Sequence, residues 1–279
     1  MKVGIVGLGL IGGSAARAFH EAGHTVYGAD LDRSLADFAV LEGTSNGVLD
    51  DHLLSSLDLL LLCMYPDGIL SYLSEKGRLI GKNTLVMDFA GVKGKICPTA
   101  FALAEKHGFT FVGGHPMAGS HRSGYRASRA NLFSGAGMIF VPPRFDDPVL
   151  FERVKNALLP LGFARHTFCT AEKHDRMIAY TSQLAHVVSS AYARSESIES
   201  HRGFSAGSWR DLTRVAHLDA HMWCELFFEN KQPLLDELDG IIARLTEYRD
   251  ALRADDGERL TAILREGTEM KDRADRAKQ

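Results

Sequence analysis

Several clusters of residues in this chain have the types and spacing to do chemistry. The stretch Gly113-Gly114-His115-Pro116-Met117-Ala118-Gly119-Ser120-His121-Arg122-Ser123-Gly124 packs His, Ser and Arg between residues that interrupt both helix and sheet, and so reads as a loop. Alone it fits either a site where a histidine moves a proton or a surface turn with incidental polar residues. Near the start, Gly7-Leu8-Gly9-Leu10-Ile11-Gly12 follows the apolar run Val3-Gly4-Ile5-Val6 and precedes a helix-forming stretch. In such a unit the first glycine makes the tight turn, the second lets the backbone approach a pyrophosphate, and the third lets helix and strand pack closely. The phosphates then meet the free N–H groups at the helix N-terminus. Asp30 ends the next apolar run, Thr25-Val26-Tyr27-Gly28-Ala29, where a carboxylate accepts from ribose hydroxyls and repels a 2′-phosphate. NAD is thereby favoured over NADP, with Arg33 close enough to moderate the preference. Further on, His186 lies on a helical face with His174, Ile178 and Ser182, and is either structural or part of a site. Arg210 and Arg214 stand one helical turn apart and either grip a carboxylate, remain solvated or pair with Asp211.

The elements that must position these groups follow from periodicity. Strands over 3–6, 25–29, 57–64, 84–89, 109–112, 137–141 and 163–169 alternate with helices over 13–19, 35–42, 67–80, 93–107 and 147–159. Alternation of this kind implies an α/β Rossmann-type domain: a parallel sheet covered on both faces, with ligands over the carboxyl ends of its strands. The Gly7–Gly12 turn, the Cys63-Met64-Tyr65-Pro66 turn, the stretch 88–93 and the His115 loop all fall at those ends and face one crevice. From residue 171 only helical periods appear, so the chain divides into residues 1–169, a nucleotide-binding domain, and 170–279, an all-α domain. In its first helix Met177, Tyr180, Leu184, Val187 and Ala191 form the expected core stripe. Helices over 219–229, 233–253 and 258–272 follow. The stripe Leu234, Leu235, Leu238, Ile241, Ile242 and Leu245 is large enough to seal a bundle or a dimer.

The totals narrow the classes. The 279 residues are 45% hydrophobic and 24% charged, ordinary for a globular enzyme of two domains. A net charge of −3 gives no reason to expect nucleic acid or an anionic membrane as partner. The longest apolar run, 57–64, falls far short of the ~18 residues a membrane span needs. Cys63, Cys97, Cys169 and Cys224 are scattered with no Cys-x-x-Cys pair, which fits reduced thiols in a cytoplasmic protein and no metal site.

With these pieces in order, the chain resembles the prephenate/arogenate dehydrogenase family of tyrosine biosynthesis over nearly its whole length. The resemblance rests on the opening glycine motif, the His-Pro-Met-Ala-Gly element at 115–119, and Glu172-Lys173-His174-Asp175 leading into Gln183-Leu184-Ala185-His186. It also rests on the block from Arg210-Asp211-Leu212-Thr213-Arg214 to Trp223. It implies a homodimer joined through the C-terminal helices, with an NAD site formed by Gly7, Leu8, Gly9, Leu10, Ile11, Gly12, Asp30, Arg33, Tyr65, Pro66 and Gly91. The implied reaction is oxidative decarboxylation of prephenate to 4-hydroxyphenylpyruvate, or of arogenate to tyrosine. By the same resemblance His115 accepts the proton of the substrate's 4-hydroxyl and His186 is a second catalytic histidine. Arg214, Arg210, Gly207, Trp223 and His121 line the substrate pocket.

Two positions depart from the family's usual pattern. Gly91 stands where relatives usually carry a serine that bonds the catalytic histidine, and His121 where they commonly carry an acidic residue. A neutral or positive group at 121 disfavours arogenate's ammonium, so prephenate is the expected substrate and arogenate, or a similar cyclohexadienol, the alternative. Competing expectations are a β-hydroxyacid or imine-reductase type of dehydrogenase, which shares the plan of domains, and an NAD-binding regulatory protein without turnover.

Overall fold

Wholly apolar strands are stable only where both faces are covered, and Leu59 to Leu62, each fully buried, form such a strand in the middle of the sheet. The computed structural model describes residues 1–120 and 122–276. The first part runs β1 (Lys2–Val6), α1 (Leu10–Glu21), β2 (Thr25–Ala29), α2 (Arg33–Leu41), β3 (Gly47–Val48) and β4 (Leu59–Leu62). It continues with α3 (Pro66–Lys76), β5 (Leu85–Asp88), α4 (Cys97–His107), β6 (Thr110–Pro116), β7 (Gly137–Val141), α5 (Pro148–Ala157) and β8 (Arg165–Phe168). The strands form one eight-stranded sheet in the order β3-β2-β1-β4-β5-β6-β7-β8. The order reverses between β1 and β4, which opens a crevice at the carboxyl ends of those two strands. Separate apolar clusters cover the two faces of the sheet.

Two features differ from the expectation of a wholly parallel sheet with a loop at 113–124. β6 and β7 pair antiparallel, His115 opposite Ile139. Among its described residues the segment joining them holds a short 3-10 turn, Tyr125–Ala127, and antiparallel neighbours need no crossover helix. Secondly, Gly113, Gly114, His115 and Pro116 belong to β6, so His115 sits on a strand rather than in a loop. Gly113 and Gly114 are there for close packing: an added Cβ would lie 2.6 Å from the Cys97 sulfur and 2.7 Å from the Asp88 carbonyl oxygen, respectively.

From Ala171 the chain is helical: α6 (Ala171–Ile178), a π turn (Ala179–Gln183), α7 (Leu184–Ala193), α8 (Gly207–Thr213), α9 (Ala220–Glu229), α10 (Lys231–Arg253) and α11 (Gly257–Arg276). Of the core stripe expected in the first of these, only Leu184 is buried; Met177, Tyr180 and Ala191 are exposed on the single chain. The buried side of α6 carries His174, Asp175 and Ile178, because this helix docks on the sheet domain through hydrogen bonds. The π turn adds a residue to the helical repeat, so the four-residue spacing from His174 to His186 does not keep one face. Gly207 opens α8.

Candidate active site

The glycine turn shows why each glycine stands where it does. Gly7 has φ of +88°, and a Cβ on it would lie 2.4 Å from the Cys63 carbonyl oxygen; one on Gly12 would lie 1.8 Å from the carbonyl oxygen of Gly7. Around Gly9 a Cβ would meet nothing within 4 Å, so the backbone there is open to a ligand. Gly9 caps α1 without a side-chain hydrogen bond, leaving the N-terminal N–H groups free for phosphate oxygens. Asp30 ties the turn to β2: its carboxylate accepts from the N–H of Leu8 at 2.7 Å and of Asp32 at 3.0 Å. The Leu8 side chain is fully buried, so only its backbone faces the crevice, and Leu10 and Ile11 pack partly on the core. Arg33 is exposed at the start of α2, Tyr65 is exposed after β4, and buried Pro66 begins α3. Gly91 follows β5. The residues expected to hold NAD therefore gather at one edge of the sheet, and the open cradle at Gly9 with the uncapped helix end fits a dinucleotide.

His115, half-buried, stands at the end of β6 on that same edge. Its Nδ1 lies 2.9 Å from Nε2 of His174, and Nδ1 of His174 lies 2.6 Å from Oδ1 of Asp175. The Asp175 carboxylate also accepts from the backbone N–H of Lys93 at 2.8 Å and of Gly94 at 2.7 Å. A Cβ on Gly94 would lie 2.7 Å from that carboxylate, so the close approach requires a glycine. Beneath His115, the wholly buried Lys93 pairs with the wholly buried Asp88, whose carboxylate also accepts from the N–H of Ala90 and Gly114. Burial, and after it the neighbouring His174 and Lys93, push the His115 pKa well below the ordinary imidazole value. Burial likewise lowers that of His174, with the Asp175 carboxylate pulling the other way.

On the helical side, His186 and Trp223 come together with ring centroids 4.0 Å apart. The His186 Nδ1–H donates to the Ser182 carbonyl at 2.8 Å, and Nε2 has no hydrogen-bond partner among the described residues. Gly91 faces α9, the helix of Trp223: a Cβ on it would sit 3.6 Å from the Leu226 side chain. α8 packs on α7 and carries Gly207 at its start and Arg210 on its exposed side, with exposed Arg214 just past its end. Neither arginine forms an ion pair among the described residues, so the pairing with Asp211 is not found. His121 lies outside the described residues.

The sequence reading assigned no role to Asp88, Lys93, His174 or Asp175. One signal was available: a carboxylate closing the all-apolar strand over 84–89, with a lysine a few residues on, is too costly to bury unpaired. His174-Asp175 stood out only as part of the motif that carries the family resemblance, since its contact with His115 depends on a strand distant in sequence.

A doubly wound sheet with an open glycine cradle, a histidine at a strand end on the same edge of the sheet and a helical second domain defines a nucleotide-dependent oxidoreductase. The chain belongs to the prephenate dehydrogenase family: the family model for the prephenate dehydrogenase nucleotide-binding domain matches residues 15–165, and that for its dimerization domain matches residues 170–266. It is 30% identical to a cyclohexadienyl dehydrogenase of Zymomonas mobilis, over 95% of this chain and 92% of the relative. Among solved structures, Synechocystis arogenate dehydrogenase superposes with a TM-score of 0.83 at 27% identity, covering 98% of this chain and all of that one. A prephenate dehydrogenase from Aquifex aeolicus in complex with hydroxyphenyl propionate and NAD+ gives 0.81 at 26% identity, covering 98% of each chain. A 3-hydroxyisobutyrate dehydrogenase from Salmonella typhimurium shares the fold alone, at 15% identity and a TM-score of 0.59 over 94% of this chain and 99% of that one.

Proposed function

We propose that this protein oxidatively decarboxylates prephenate to 4-hydroxyphenylpyruvate, with NAD as hydride acceptor and His115 as the base. The observation that carries this reading is the placement of His115 at the end of β6, on the edge of the sheet that holds the glycine cradle, with burial lowering its pKa, one ring nitrogen held by His174 and the other without a partner among the described residues. Gly7 to Gly12, Asp30, Arg33, Tyr65, Pro66 and Gly91 hold the dinucleotide, which when bound takes up the hydride leaving C4 of the ring. His115 takes the 4-hydroxyl proton, so that the oxygen's electron pair forms a carbonyl as hydride departs. The bond to the ring carboxylate then breaks, carbon dioxide leaves, the electron pair completes the aromatic ring as the carbonyl oxygen becomes a phenolate, and His115 returns its proton to that oxygen to give the 4-hydroxyl. Arg214 and Arg210, without ion-pair partners among the described residues, hold substrate carboxylates; two cations suit a dianion. His186 is the second catalytic histidine, held by Ser182 with its ring tilted against that of Trp223; Trp223 and Gly207 complete the pocket, to which His121 is assigned from the sequence alone.

The likeness to an arogenate dehydrogenase supports a second reading, in which arogenate is the substrate of the same chemistry. The neutral or positive character of His121 favours prephenate. In this reading the two domains divide at 169/170, where β8 gives way to α6, and the protein works as a cytoplasmic homodimer. The test is NADH formation by the purified protein with prephenate and with arogenate, each with NAD and NADP, with product identification. Prephenate with NAD is expected to give 4-hydroxyphenylpyruvate at the highest kcat/KM. A preference for arogenate, or no turnover of either while NAD still binds, sinks the reading.

A further inference from the structure

We infer that His174 and Asp175 of the helical domain are positioning residues that set the tautomer of His115, and so turn its bare Nε2 to the substrate hydroxyl. The inference rests on the reading of His115 as the base and adds how that base is kept in its working form. The chain of reasoning starts at Asp175, on which three donors converge: the N–H of Lys93, the N–H of Gly94 and Nδ1 of His174. An oxygen that accepts from the backbone has no hydrogen to offer His174, so Nδ1 of His174 carries the proton. In a neutral ring, Nε2 of His174 is then a lone pair. That lone pair lies 2.9 Å from Nδ1 of His115, which must therefore be the N–H that donates. What is left on His115 is a lone pair at Nε2, the form a base needs and the less populated tautomer of free histidine in water.

Nothing else fixes that ring: the contact with His174 is the one side-chain hydrogen bond of His115 among the described residues. Gly91 offers no hydroxyl. Burial keeps both rings neutral, as the assignment requires, and His174 is 1% exposed, so water does not compete for its Nε2. During turnover one proton moves from the substrate oxygen to Nε2 of His115. The positive charge that forms is met along the same line, by the His115 Nδ1–H bonded to His174 and by the His174 Nδ1–H bonded to the Asp175 carboxylate. Because His174 and Asp175 belong to α6 and His115 to β6, docking of the helical domain is what arms the base.

The experiment is long-range proton–nitrogen NMR on full-length protein labelled with 15N-histidine, on wild type, His174→Phe and His174→Gln, together with kcat/KM for prephenate. Wild type is expected to show His115 protonated at Nδ1. His174→Phe, which cannot accept, is expected to return His115 to the Nε2–H form and to lower kcat/KM about ten- to a hundredfold with NAD affinity unchanged. His174→Gln, whose amide oxygen can accept, is expected to keep the Nδ1–H form and recover much of the rate. An Nε2–H tautomer in wild type overturns the inference, as does an unchanged tautomer and rate in His174→Phe. The wild-type tautomer needs neither substrate nor variant, so it decides the matter even if His174→Phe fails to fold. Absence of prephenate turnover in wild type counts against the proposed function instead.

Discussion

Burial sets the pH range in which His115 works. Desolvation, with His174 and Lys93 adding to it, holds its pKa well below that of a free imidazole. A free histidine protonates near ~6.5, so the acid limb of kcat/KM for prephenate is expected below ~6.5. A limb at or above that value contradicts the burial argument. The same shift has a sign for stability. Below ~6.5 the unfolded chain takes up a proton at this position that the folded chain refuses. The contribution is therefore complete above ~6.5 and is lost as pH falls toward the depressed folded value. Melting temperatures are expected to drop between about pH 7 and pH 5, and His115→Gln, which removes the titrating group, is expected to flatten that drop. That His115 stands out was legible in the sequence, because a histidine among glycines after a strand is conspicuous, although the strand itself runs on through it. The ring that holds it was not, since the separation of His174 from His115 along the chain hides a contact of 2.9 Å.

Among the elements, the glycine turn and the buried 88–94 segment carry separable consequences. A Cβ at Gly9 meets nothing, whereas one at Gly12 collides with the Gly7 carbonyl. Gly9→Ala is expected to leave the melting temperature nearly unchanged while weakening NAD binding about tenfold or more, ~1.4 kcal/mol, by fluorescence titration. Gly12→Ala is expected to lower both. Equal stability loss in the two variants would contradict the division of roles. Lys93→Met leaves the Asp88 carboxylate buried without its cation, at an expected cost of about 3–5 kcal/mol in denaturant unfolding. A loss within about 0.5 kcal/mol, as at an ordinary surface site, would count against the pair's importance. The strand and helix order was legible because alternating apolar runs have a plain periodicity. β6 was misread past Val112 because Gly113 and Gly114 look like a turn; they serve instead for close packing on Cys97 and Asp88. The α6 stripe was misread because hydrophobic spacing says nothing of a helix that docks by its polar side.

For the whole molecule, the apolar residues left uncovered on one chain point to a second copy. Tyr180, Ile242, Leu245, Leu252 and Leu264 are each more than half exposed, on the helices matched by the family's dimerization domain. Uncovered apolar area of this kind marks an interface. Sedimentation is expected to give a dimer, and the double variant Ile242→Glu, Leu245→Glu a monomer; a monomeric wild type would contradict the assembly. The most direct test of the central claim is NADH release from prephenate and NAD by wild type beside His115→Ala. The account predicts turnover to 4-hydroxyphenylpyruvate and carbon dioxide in wild type, and its loss in the variant with NAD affinity retained. Turnover that survives in His115→Ala would contradict it.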